Sequence, residues 1–490
     1  MRLQSPVTLR QALSHLVPLG AAVLVAALFS PLSGQQVVAS DSGVGSESSV
    51  TASETPSESA ADAAPTYYGD ALPALQRNCV ACHRPDAPDL GGMVAPMSLM
   101  SYEEAKSWAP MIAHVLREKY MPPWGAHLQH EGEFKDERYI SGEDRRTLIE
   151  WAEAGASMGD PALAPTTEEI LAEAVVAEPV EAPDGSMWWM GVPDMVVGFE
   201  EPVEVCAAAE DWQPRIRMVP EDAHTEPKWI QGMEIRPGSD IVHHTVSSHL
   251  GVGVPGRGPF VFPEGWGILL PEDPYITISM HYHKEPGRAV TDDTKGGFMF
   301  YEEGDVIDYV VETDLQAYMD FTIPPGDPNY AVRNTTHFDE DIYLLSMGPH
   351  AHYRGKAVKI ELERPESLER ETLLWVPDYD FNWQFQYEFE EPYFIPAGSR
   401  MHITWWYDNS ADNPHNPDPS AEVTWGLATT DEMMNARIYY AKAEPQGIVV
   451  GEDIPADVLE RAREEEERNR DRAPEETQSC QEAAESVAGG

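Results

Sequence analysis

From about Trp188 to Ala443 the chain is a succession of short runs in which apolar and polar residues alternate, or β-branched and aromatic residues crowd together: YITISMHYH, DVIDYVV, IYLLSM, AVKIELE and RMHITWWY. Pro, Gly, Asn and Asp separate them, which predicts β-sandwich architecture over alternating β/α units. The pattern upstream is different. SYEEAKSWAPMIAHVLREKY has helical spacing, and SGEDRRTLIEWAEAG opens on a Ser-x-x-Asp cap signal and ends at a glycine, so Tyr67 to Asp160 is expected to be compact and mostly helical. Asp41 to Thr66 has no apolar period, cannot repay the entropy of folding and reads as a tether. Asp160 to Ser186, rich in Pro, Ala and Glu, reads as a second linker with one short helix. The stretch from Ala456 (ADVLERAREEEERNRDRAPEETQ) reads as a charge-laced helix or disordered tail on the solvated surface.

At the N-terminus, Arg2 and Arg10 precede an apolar stretch from Leu16 to Phe29, with small residues around Val38, Ala39 and Ser40. That order fits a secretory signal peptide, and the run is shorter than the roughly 20 residues a spanning helix needs, with an uncleaved anchor as the alternative. No later segment could span a membrane, so a periplasmic or secreted location is expected. The organisation is then a signal peptide at 1–40, a linker at 41–66, a small helical domain at 67–160, a linker at 161–187, β-sandwiches at 188–310 and 311–445, and an acidic tail at 446–490. A length of 490 residues fits several domains of about 150 each.

The formal charge of -51, from 33 Lys plus Arg against 84 Asp plus Glu, would repel phosphate backbones and anionic lipid and argues against a nucleic-acid partner. The four cysteines are too few for a disulfide-built scaffold. Cys206 and Cys480 could form a bridge in an oxidising compartment, which spacing alone leaves open. Cys79-Val80-Ala81-Cys82-His83 is the C-x-x-C-H pattern of covalent haem attachment: two thiols add across the haem vinyl groups and His83 reaches the iron. A zinc site would want another ligand pair, and no other cysteine occurs before Cys206. The opposite iron ligand is expected to be Met121 in KYMPPWG, where two prolines stiffen the backbone; Met93, Met97, Met100 and Met111 are the alternatives. This segment resembles a small all-α cytochrome c domain of the kind that carries an MPPW turn.

Histidines group in the β region. Alternation puts His281 and His283 on the polar face of YITISMHYH, and His350 and His352 emerge together from PHAHYRGK. His243 and His244 are adjacent, so an ideal strand would aim them to opposite faces, and a bulge or twist is needed for both to bind one ion. Imidazole without thiolate suits copper or zinc, and a thioether favours Cu(I).

The elements HHTV, SMHYH, PHAHYRGK and TTDEMMN occur in the order seen in copper type II, ascorbate-dependent monooxygenases, the family of peptidylglycine α-hydroxylating and dopamine β-monooxygenases, which this chain resembles from about Trp188 to Ala443. The resemblance implies two jelly-roll-like sandwiches, each holding one copper, facing each other across a solvent-filled cleft. It carries the electron-supplying copper to His243, His244 and His281, and the oxygen-binding copper to His350, His352 and Met433, with the adjacent Met434 favoured only by a slipped register. His249 and His283 match no ligand and read as outer-sphere or surface residues. The expected function is hydroxylation of a C–H bond of a small-molecule substrate with O2, using two coppers, with electrons relayed from an external donor by one covalent haem. The alternative is a non-enzymatic periplasmic protein that binds copper and passes electrons. The peptide-hydroxylating enzymes have an arginine two residues before the H-x-H pair and a tyrosine four after the methionine. Those positions here are Gly348 and Arg437, although Asn435 matches, so a peptidylglycine substrate is not expected. Oligomeric state is left open.

Overall fold

In a computed structural model of the protein, the described residues are 64–471, apart from 86, 88–89, 94, 174–177, 208–210, 223, 248, 285–286 and 368. The expected signal peptide at 1–40, most of the expected first linker and Cys480 lie outside them. The period-two runs form strands because each can bury one or both faces. Eight of them organise the site: β1 (Lys228–Arg236), β2 (Val242–Ser247), β3 (Trp266–Leu270), β4 (Ile276–His283), β5 (Tyr309–Ala317), β6 (Ile342–His350), β7 (Tyr387–Ile395) and β8 (Asn435–Lys442).

An antiparallel sheet in the order β7-β6-β8-β5 faces a second sheet made of Tyr330–His337, Arg400–Tyr407, Gly355–Glu363 and Arg370–Val376. Leu344, Met347, Val358, Ile403, Trp405 and Ile438 fill the space between them. The other face of the first sheet is apolar too: Val311, Leu345, Tyr439 and Ala441 join Met233, Phe260, Ile278 and Met280 in the core of the N-terminal strands. β5 continues into that region through a short parallel pairing with β3, Trp266 opposite Tyr309 and Gly267 opposite Val310. One sheet path therefore runs through both halves, and its central strands are buried on both faces.

The expected multidomain fold, a small all-α cytochrome c domain followed by two all-β jelly-roll-like sandwiches, is corrected on two counts. The described residues are mostly strand, and no separate all-α domain stands among them. The helices α1 (Leu72–Asn78), α2 (Tyr102–Arg117) and α3 (Gly142–Glu153) do form where their caps direct, with Ser101 and Glu104 in a capping box and Ser141 accepting from the Asp144 N–H. Long irregular connections join them, however, and one connection inserts into the β core. Phe134, 1 % exposed, belongs to the same cluster as Tyr387 and Phe389 and bridges to Phe389 through the backbone, while Lys135 pairs with Glu388. The described residues accordingly fall in one compact unit. The two β halves are likewise not independent, because they share the β6–β8 layer. Phe134→Ala is expected to remove about 3–5 kcal/mol of stability and to lower a single calorimetric transition common to helices and strands. A separate, unshifted transition for the strands would contradict the shared core.

The C-terminal segment also departs from expectation. After α4 (Thr167–Glu173) and the strands, α5 (Ala456–Asp471) docks instead of lying free: Val458 is 2 % exposed beside Trp229, Leu269 and Ile448, and buried Glu466 pairs with His249 at 3.3 Å. Its few apolar residues fall on one stripe, too sparse to stand out against the charges around them.

Candidate metal centre

His244 on β2 lies directly opposite His281 on β4, and the next pair along the ladder is Val242 with Tyr282. His243 is thus the extra residue of a β-bulge, which turns its side chain to the side that His244 and His281 share. The adjacency in the sequence has this geometric solution. Three Nδ1 atoms converge, 3.1 Å apart for His243 and His244 and 3.2 Å for His244 and His281. Two nitrogens bound to one ion at tetrahedral angles stand about 3.3 Å apart for bonds of about 2.0 Å, so the spacing matches one coordination sphere. The three side chains could hold a metal ion. His283 is exposed at the edge of the group, its ring centroid 6.2 Å from that of His243. His249 is not part of the group, being buried against Glu466.

His350 ends β6 and His352 follows in the turn, with ring centroids 5.2 Å apart. Each has its Nδ1 occupied. His350 Nδ1 donates to Gln384 Oε1, and His352 Nδ1 donates to the Asp431 carbonyl at 3.2 Å. This fixes both rings with Nε2 as the remaining lone pair, the arrangement that orients metal-ligating histidines. β6 pairs with β8 so that His350 opposes Asn435, whose Nδ2 donates to Met433 Sδ at 3.3 Å. Met433 is half-buried at this end of the ladder, whereas Met434 is fully buried in the core of the sandwich, so the register puts the thioether of Met433 on the histidine side.

Glu432 ties these pieces together. Its carboxylate, fully buried, accepts from the backbone N–H of His352 at 2.8 Å, Arg354 at 2.6 Å and Met433 at 3.2 Å. Burial pushes the carboxyl up to about 7 against those donors and the Arg354 guanidinium. The two histidine sets also meet: the rings of His244 and His350 are 5.6 Å apart, and Phe381 stacks on His243 at 4.7 Å while also reaching His281 and His352. The solvent-filled cleft expected between separate sandwiches does not separate them. Burial drives His244 and His350 toward the neutral, ligating form. It holds His244 well below its usual value, with His281 and His243 adding to the effect, and brings His350 to about 4.

Beside the cluster lies a cavity of ≈590 Å³ with His243, His283, Tyr353, Tyr379 and Phe381 in its wall, together with Trp124 and Lys119 of the helical segment. The loops DYDFNWQ and YDNSADNPHNPDP both contribute to it. A Cβ at Gly348 would meet Gln386 Oε1 at 2.1 Å, so a side chain there requires the Gln386 amide to move.

At the C-x-x-C-H segment, Cys79 caps α1 and the next turn brings Cys82 and His83 back over it, the His83 N–H donating to the Cys79 carbonyl at 2.8 Å. Both cysteines are free, whereas Cys206 is disulfide-bonded. His83 Nδ1 donates to the Met97 carbonyl at 3.3 Å, leaving Nε2 available. Among the alternatives for the second axial ligand, Met97 and Met100 pack against the helical core and Met111 is exposed on α2. Met93 lies in the turn that docks on Gly256. Met121 is half-buried at the turn after α2 and is tied to it by an N–H donated to the Val115 carbonyl. Sequence reasoning missed Gln384, Phe381, Glu432 and Arg354. Arg354 and Glu432 lie in PHAHYRGK and TTDEMMN, but the hydrogen bonds that join the two motifs link positions distant in the chain.

Comparison with known proteins adds little. No family model matches the chain, and no curated protein matches it. Among solved structures it is similar to a "putative secreted protein" from Eubacterium rectale, at 12 % identity over 56 % of this chain and 83 % of the other, with a TM-score of 0.17. It is also similar to the VP2 subviral particle of infectious bursal disease virus, at 7 % identity over 57 % and 89 %, with a TM-score of 0.16. Scores this low carry no argument about fold or function. No helix of the described residues is long and apolar enough to cross a membrane.

Proposed function

We propose that this chain is an exported copper-dependent oxidoreductase of the monooxygenase type, hydroxylating a C–H bond of a small molecule with O2, and that a haem attached through Cys79 and Cys82 feeds it electrons from an external donor. The observation that carries the reading is the pairing of a convergent three-Nδ1 cluster with a second set whose Nδ1 atoms are tied off and whose neighbour is a thioether. His243, His244 and His281 would hold one copper, and His350, His352 and Met433 the other. Copper supplies one-electron chemistry with dioxygen, which no side chain in the cavity could. The residues of the chain do the rest: Gln384, the Asp431 carbonyl and Glu432 hold the ligands in orientation, Phe381 shields the imidazoles from water, and the aromatic wall of the cavity receives the substrate. His83 and Met121 would hold the haem, which would supply electron transfer. A periplasmic or secreted location follows from the N-terminal pattern and from covalent haem.

The test is incorporation of isotopically labelled oxygen into product by copper-loaded protein. Label found across a substrate panel in the parent and lost in Met433→Ala supports the reading. If no label is incorporated and Met433→Ala binds copper as the parent does, the non-enzymatic copper-binding alternative is favoured, as is consistent with the nearness of His244 to His350. A separate expectation concerns iron. Met121→Ala should open the sixth position, so that the reduced protein binds carbon monoxide while the parent does not; carbon monoxide binding by the parent would contradict the axial assignment.

A further inference from the structure

Two guanidiniums are enclosed beside the segment that bears Cys79, Cys82 and His83, each with one nitrogen that no acceptor meets. Arg138 donates from Nη2 to the Gly256 carbonyl, and its Nη1 is buried without a partner. Arg257 donates from Nη1 to the Val252 carbonyl at 2.5 Å, and its Nη2 is buried without a partner. Each lies over a ring, Arg138 over Phe385 and Arg257 over Phe260, 5.2 Å from the centroid in both cases. Rings and carbonyls fix the two groups in place, and Asp136 acts on both charges with Glu388 acting also on Arg257, but none of these accepts from the two spare nitrogens. An enclosed cation with a spare donor costs several kcal/mol, and such a group in a native fold points to a ligand.

The turn that carries Arg257 is docked on the chain just after His83. The Gly256 N–H donates to the Leu90 carbonyl at 2.9 Å, and a Cβ at Gly256 would meet Arg138 Nη1 at 2.9 Å and Met93 Sδ at 3.2 Å. Both cations therefore border the space next to the attachment segment, one from the helical connection and one from the β layer. Burial lowers the affinity of Arg138 for its proton, and the nearness of Cys82 and Asp136 opposes this. A haem bound to protein through its vinyl edge still carries two propionate carboxylates, and the arginine fork matches a carboxylate in charge and shape.

We propose that Arg138 and Arg257 form a carboxylate-binding pair that holds the two propionates of the haem attached at Cys79 and Cys82, clamping it between the helical segment and the β layer. The proposal rests on the haem reading above. A small cavity has Gly91, His243, His244 and Arg257 in its wall, so Arg257 and two histidines of the three-histidine set border one space.

The experiment is a redox titration of the full-length protein, matured with haem, for the parent, Arg138→Gln, Arg257→Gln and Arg257→Lys. Removing a positive charge beside a propionate stabilises ferric haem, so each Gln variant should shift the ferric-to-ferrous ratio at fixed poise about tenfold, a fall of about 59 mV in midpoint for one electron. The fall should grow with rising pH as the released propionate ionises, and Arg257→Lys should recover most of it; loss of a merely structural contact would give neither pH dependence nor rescue. Haem attached in all four proteins with unchanged midpoints overturns the clamp and leaves the haem reading intact. A parent that attaches no haem overturns both. Calorimetric titration with succinate tests a soluble dicarboxylate as the source: uptake by the haem-loaded parent that is lost in Arg257→Gln would show the pair free of propionate and also overturn the clamp.

Discussion

On the copper reading proposed above, replacing His244 with alanine is expected to cost the protein one copper and to disturb the other. His244 is the hub of the centre: its Nδ1 stands 3.1 Å and 3.2 Å from those of His243 and His281, and its ring lies 5.6 Å from His350. Losing an outer-sphere partner of a metal ligand lowers affinity roughly 10–100-fold, so losing this ligand should lower it by more than about 100-fold. Competition with a Cu(I) chelator measures it, and unchanged affinity would remove His244 from the site. The same titration has a defined pH dependence. Metal binding competes with protons on imidazole, and here burial lowers the values of His244 and His350, that of His350 to about 4. Affinity should therefore hold as pH falls through about 6.5, where an exposed histidine would begin to lose copper, and decline only in more acidic solution.

The second large effect is at Glu432. Glu432→Ala removes the acceptor of three buried N–H groups, those of His352, Arg354 and Met433. At about 1–3 kcal/mol for each donor left unsatisfied, the loss is several kcal/mol, a large part of the 5–15 kcal/mol typical of a folded domain. The His352 turn and the Met433 segment should separate, taking the second copper with them. Glu432→Gln keeps the shape and one acceptor, so it should fold and retain copper with reduced affinity. Its pH dependence carries the sign of a raised carboxyl. With a value of about 7 in the folded protein against about 4.3 unfolded, Glu432 contributes stability at low pH that is lost as pH rises through about 7. Glutamine does not titrate, so the melting temperature of the parent minus that of Glu432→Gln should increase as pH is lowered from about 7 to about 4.5. A constant difference would mean that the carboxylate stays ionised.

These two residues mark what was and was not legible in the sequence. The His243–His244 adjacency, against a strand period of two, already demanded a bulge, and one is found there. The strand runs were legible for the same reason, since burial on a pleated sheet imposes that period. Glu432 was visible only as a letter in DEMMN, because two of its three donors, the N–H groups of His352 and Arg354, belong to backbone brought in by the β6–β8 register. The departure from separate domains was equally hidden: Phe134 reads as an isolated aromatic in a polar stretch until Tyr387 and Phe389 are beside it. The sharing of the β6–β8 layer left a trace, in that IYLLSM is apolar at successive positions, the signature of a strand buried on both faces. The docking of α5 left less, since its ion pair with His249 is a contact between remote charges.

The central claim is that the histidine cluster is a pair of copper sites working with the attached haem. It is tested most directly by measuring copper and haem on one sample of the protein while following ascorbate-supported oxygen uptake. The account predicts two coppers for each haem, with uptake that is abolished when His350 and His352 are replaced by alanine. Fewer than two coppers for each haem, or uptake that survives those replacements, would contradict it.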